Sequence, residues 1–231
     1  MVELKLILLY IESGEKSLQI FKLVKGFLLL ILSEYSLTYK ENTEIYMEEK
    51  YTEKYIHQLI SSTMQDVKMA VELKQDFSGV NMSYNFIGDY VGFDVKRLVE
   101  VINEMQLPIS LELYIKIITL HELGHAIDRI ALLDSLTRTL EIFDTKQSHS
   151  LYELYNDVNL LAMIIEEHEM NIVFEETAWR NAENLNRKFH IVDWENFDDV
   201  RAHSLLTYKN LYKQDLHLYE ELVAEHTNQI A

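Results

Sequence analysis

Apolar residues recur at helical intervals over residues 16–35 and again over 46–73, so both stretches are expected to be helices. The texture then changes. "FSGVNMSYNFIGDYVGFDV" holds Gly79, Gly88 and Gly92, three of the chain's six glycines, around Tyr84, Phe86, Tyr90, Val91 and Phe93. Glycine punctuation among aromatic and β-branched residues predicts short strands or a hairpin over 79–95. Helical spacing resumes over 95–105. Pro108-Ile109-Ser110 then reads as a helix entry, with Ser110 or an upstream residue as cap. The helix it opens is expected over 110–134, a polar stretch near 144–150 separates it from a long helix over 151–188, and "VDWENFDDV" opens C-terminal helices over 193–228. The expected fold is mainly α (α+β). Residues 1–78 form a helical N-terminal part, with a short β-hairpin or small antiparallel sheet around 80–95. With no repeats, no linker-like tracts and one proline, a single domain over 1–231 is the simplest organisation.

Composition narrows the function. The apolar fraction of 48% is ample for a core. A net charge of −17 argues against a nucleic-acid partner, which needs a concentrated basic face. The chain has no cysteine, so it has neither disulfides nor a thiolate metal site, as suits a reducing cytoplasm. The apolar run 27–32 is about a third of a membrane span. Glu3, Glu12 and Glu15 precede it, and no cleavage-site pattern follows. It is expected to be a buried helix segment, with no membrane partner.

The chemistry lies in "ITLHELGHAIDR", residues 118–129. His121 and His125 are four apart, so one helix face can offer both imidazoles to one ion. Glu122 is placed to act on a water at that ion, as general base and then general acid. Gly124 leaves the packed side of that face uncrowded. The surrounding leucines and isoleucines make the helix apolar nearly all round, hence buried. Polar groups buried there need partners, and a metal provides them. The competing reading is a pair of core histidines hydrogen-bonded to backbone or carboxylates.

Zinc needs another protein ligand and an open position for water. Cysteine is absent, and "AIDRIALLDSL" lacks the histidine extension that follows HExxH in metzincins. That leaves a downstream carboxylate. "EEHEMNIVFEETAWRNAENL" resembles the glutamate helix of gluzincins, Glu-x-x-Ala-Asp or a relative, through Glu175-Glu176-Thr177-Ala178-Trp179. Trp179 stands where Asp or Asn often braces a zinc ligand, so the bracing here must differ. Helical pitch distinguishes the two glutamates. Glu169, Glu176 and Glu183 recur every seven residues beside Arg180 and Arg187, a charged stripe expected to face solvent. Glu175 points about 100° away, on a face with Ile172, Trp179 and Ala182. A lone carboxylate on that face needs a partner, which favours Glu175 over Glu176.

Together these residues resemble a gluzincin-type zinc metallopeptidase. The chain is distantly similar to ImmA/IrrE-type peptidases and to small HExxH proteins of bacterial and phage genomes. The resemblance covers about a third of the chain. It implies Zn²⁺ held by His121, His125 and Glu175, with Glu122 as the catalytic carboxylate and a protein or peptide substrate laid along a strand of the Tyr84 region. It also implies a further donor for the tetrahedral oxyanion, for which His203 and Tyr208 are the candidates. His168, on the Glu175 side of its helix, is either a support for the site or a satisfied structural histidine. The expected activity is an intracellular, cytoplasmic peptidase with a restricted target. The alternative is a metal-binding regulatory or interaction protein with little turnover.

Overall fold

The computed structural model describes residues 53–104 and 109–230. The helix expected over 16–35, the run 27–32, the start of the helix over 46–73 and Pro108 lie outside them. Among the described residues seven helices surround a three-stranded sheet, so the fold is mainly α with a small β element. In chain order these are α1 (Glu53–Asp66), β1 (Glu72–Gln75), β2 (Met82–Asn85), β3 (Tyr90–Phe93), α2 (Val95–Glu104), α3 (Leu111–Ile127), α4 (Arg129–Ser148), α5 (Leu151–Asn156), α6 (Val158–Phe189) and α7 (Trp194–Ile230). None of these helices is both long and apolar enough to cross a membrane.

The first correction falls at the end of α1, which stops at Asp66 instead of running to 73. Lys68 turns left-handed with φ 59°, and the Met69 N–H donates back to the Met64 carbonyl at 2.9 Å, closing the helix end. The apolar positions that follow, Met69, Val71 and Leu73, alternate with the period of a strand, and all three pack against the main core. The chain therefore enters β1. The hairpin expected over 79–95 is present as β2 and β3, antiparallel, while β1 lies parallel to β3 on its other side. The sheet is therefore mixed.

Register identifies which groups face outward on the edge strand β2. The Asp94 N–H donates to the Asn81 carbonyl at 3.1 Å, so this pair stands at a bonded position of the ladder. Bonded and unbonded pairs alternate along an antiparallel ladder. Tyr84, opposite Val91 three positions on, is therefore in an unbonded pair. Its N–H and C=O point away from β3, toward α3.

Helix α3 starts as expected at Ser110, whose hydroxyl accepts from the Leu113 N–H at 3.3 Å. Every residue from Ile117 to His125 is buried, as befits a helix enclosed by α1, α2, β2 and α6. It ends at Ile127 rather than near 134. Asp128 breaks the ladder, and α4 then absorbs the polar stretch as far as Ser148. The long downstream helix divides similarly. A Ser150–Glu153 capping box starts α5, and Asp157 accepts from the Asn159 and Leu160 N–H groups to start α6. Helix α7 is continuous where a helix pair was also compatible with the sequence.

Helices α6 and α7 run antiparallel, joined by a turn at His190. There the Asn186 side chain accepts from the Ile191 and Val192 N–H groups. The stripe of Glu169, Glu176 and Glu183 lies along this pair and is not simply solvated. Glu169 accepts from Tyr212, while Glu176 pairs with Lys209 at 2.7 Å and Glu183 with Arg201 at 3.1 Å. A seven-residue repeat is the period at which facing helices meet, so these partly exposed carboxylates form the polar seam between α6 and α7.

Candidate metal centre

The two helices that carry the motif residues touch backbone to backbone. A Cβ built on Gly124 would lie 2.1 Å from the Ala178 carbonyl oxygen, so only glycine permits this approach of α3 and α6. The Asn181 amide reinforces the contact by donating to the Gly124 carbonyl at 3.0 Å. With the backbones this close, the short Glu175 side chain reaches both histidines. His121 Nε2 lies 3.1 Å from Glu175 Oε2, and His125 Nε2 lies 3.3 Å from Oε1.

One donor atom from each of His121, His125 and Glu175 lies within 4.8 Å of the others, the reach of a single metal ion. All three residues are buried, with exposures of 4, 6 and 1%. Burial opposes ionisation of Glu175, but the two imidazoles beside it hold its carboxyl well below the usual carboxylate range. Even so, among the described residues Glu175 Oε1 has no aligned hydrogen-bond donor, and neither His121 Nδ1 nor Trp179 Nε1 has a partner. A buried anionic oxygen without a donor is costly, and a cation bound between the side chains would satisfy it. The residues present thus fit a divalent metal. Glu176, half-exposed and paired with Lys209, is turned away from the cluster.

Glu122 is 1% exposed on the same helix, and its Oε2 accepts from the outward-facing Tyr84 N–H at 2.6 Å. The edge strand therefore fixes the orientation of this carboxylate. This contact is between backbone and side chain, 38 residues apart, and glycine and aromatic patterning located the strand without revealing the bond. Trp179 also takes a defined place, since its indole stacks on the His121 imidazole with centroids 4.4 Å apart and planes at 25°.

The remaining sequence candidates fall elsewhere. His168 is buried on α6, but its Nε2 lies 2.8 Å from Asp215 Oδ2 of α7, a satisfied pair outside the cluster. His203 is exposed on α7, and Tyr208, five residues on, is half-buried. Neither belongs to the His121–His125–Glu175 group that could hold a metal ion. Set against protein-family models, curated proteins and solved structures, the chain matches none.

Proposed function

We propose that this protein is a zinc-dependent peptidase of restricted target range, with His121, His125 and Glu175 as metal ligands and Glu122 as general base. The observation that carries this reading is the buried convergence of two imidazoles and one carboxylate, one of whose oxygens lacks a donor. Two nitrogen donors and one oxygen, without thiolate, suit zinc and leave a coordination position open. Bound there, the ion supplies Lewis acidity toward water and a peptide carbonyl. Glu122, one position along from His121, takes a proton from the attacking water and passes it to the leaving amine. The Tyr84 amide holds that carboxylate in place, and β2, an edge strand among the described residues, lies beside it as the element along which an extended substrate would be laid.

A second reading has its own support. The three ligands and Glu122 are each less than a tenth exposed, and such burial restricts the approach of a protein substrate. A regulatory protein that holds a metal but turns over little substrate accounts for such closure. Metal analysis of protein purified without added zinc tests the shared premise. Near-stoichiometric zinc is expected in wild type and Glu176→Ala and not in Glu175→Ala. Wild type free of metal would overturn both readings, and zinc retained by Glu175→Ala would overturn the ligand assignment. Glu122→Gln separates the two functions, because it should keep the metal and lose any cleavage measured on an unfolded protein substrate.

A further inference from the structure

A metal-ligating histidine is normally held in place by a hydrogen bond to its second ring nitrogen. In His121 that nitrogen, Nδ1, is buried and has no partner among the described residues. Its imidazole nevertheless faces Glu175 with Nε2, so something else must set the plane of the ring. The Trp179 indole covers one face of it, 4.4 Å away and nearly parallel. Trp179 is itself immobilised, being 1% exposed with Phe197 edge-on to it at 5.6 Å and Trp194 edge-on to Phe197 at 5.7 Å. It also follows Ala178, the residue in backbone contact with Gly124. The contact that brings Glu175 to the histidines therefore sets the stacking distance as well.

We propose that Trp179 is the positioning residue of His121, its indole face fixing the imidazole plane in place of a hydrogen bond to Nδ1. The inference rests on the metal-centre reading above. The position one helical turn after Glu175 lets one rigid helix supply both a ligand and the support for another ligand. The unpaired indole N–H argues the same way. Filling space alone would be achieved at lower cost by an apolar side chain with no buried donor, and what tryptophan adds is a broad flat face. Rotation of the imidazole out of its plane would drive ring atoms into the indole, so Nε2 stays directed at Glu175.

The test compares zinc affinity, measured against a competing chelator, for wild type, Trp179→Phe and Trp179→Leu. Phenylalanine keeps a flat face, and its affinity is expected within about threefold of wild type. Leucine keeps apolar bulk without a face and is expected to bind about 10- to 100-fold more weakly, the range for lost ligand support. Equal affinity for the leucine variant and wild type, or equal loss in both variants, would overturn the proposal. Should the leucine variant not fold, the zinc-bound wild type still decides the matter by NMR. The carbon-bound ring protons of His121 are expected upfield of those of His125, shielded by the indole, and the absence of that shift would end the proposal. Wild type that binds no zinc would remove the metal reading itself. Zinc binding indifferent to Trp179 would remove only this inference.

Discussion

Helix α6 carries two buried histidine–carboxylate groups, and they differ in what they leave unsatisfied. Toward its N-terminal end His168 meets Asp215 of α7 at 2.8 Å, with Tyr155 also directed at that carboxylate at 3.4 Å. No buried polar atom of the pair lacks a partner. Two turns on, Glu175 meets His121 and His125 of α3, and there a carboxylate oxygen and a ring nitrogen are left without partners among the described residues. Burial and pairing are common to both groups, so neither marks a functional centre. The distinguishing feature is that three donor atoms converge while part of their bonding capacity is unused, a deficit a cation can fill. The first group fastens two helices; the second is a candidate metal centre.

The difference between the two groups depends most on Gly124. Gly124→Ala places a methyl group against the Ala178 carbonyl and must push α3 and α6 apart. It is expected to cost about 3 kcal/mol or more in urea denaturation, at or beyond the upper range for overpacking, and to abolish metal binding. The His168–Asp215 pair, which does not depend on that contact, should survive if the protein still folds, as monitored by the His168 ring signals in NMR.

Metal removal comes next. Zinc at a hundred times its dissociation constant should stabilise wild type by about 2.7 kcal/mol through mass action, seen as a higher melting temperature that chelation reverses. Asp215→Asn should retain that metal-dependent shift, whereas Glu175→Ala should lose it. The opposite pattern would mean that the His168–Asp215 pair is the metal site. Asp215→Asn should itself lower stability by about 1–3 kcal/mol, the cost of a buried group losing its charged partner, with zinc content unchanged. The smallest effect belongs to Glu176→Ala. Its ion pair with Lys209 is 42% exposed on both sides, so solvent screening limits the loss to about 0.5 kcal/mol, and metal content should not move.

How much of this was legible in the sequence depends on whether local periodicity governs each feature. The inward turn of Glu175 and the outward turn of Glu176 follow from helical pitch, and the structure places them so. The Ser110 cap was legible for a similar reason, since a hydroxyl three residues before an N–H group needs only local geometry. The early end of α1 was hidden because a left-handed lysine closes it where glycine would have announced the turn. The breaks at Asp128 and Asp157 interrupt otherwise helical sequence; at Asp157 the side chain accepts from the Asn159 and Leu160 N–H groups, a local cap that the apolar periodicity running through it masked. The glutamate stripe was legible as a face, but its partners are set by α7. His168 was ambiguous for want of one fact, an aspartate 47 residues away.

A mainly helical chain, a hairpin amid its glycines, and a buried helix that presents two histidines and a glutamate at the spacing metal chemistry needs were all readable from residue order. Those features rest on periods of two and 3.6 residues, which the order of residues encodes directly. Tertiary structure alone decided that Glu175 reaches those histidines, because this requires a backbone contact between Gly124 and Ala178. It also decided that the Tyr84 amide orients Glu122 and that the Trp179 indole stacks on the face of the His121 ring. These are contacts between residues far apart in the chain, fixed by the packing of helices and strand to within a few ångströms, and no local pattern of residues carries that distance.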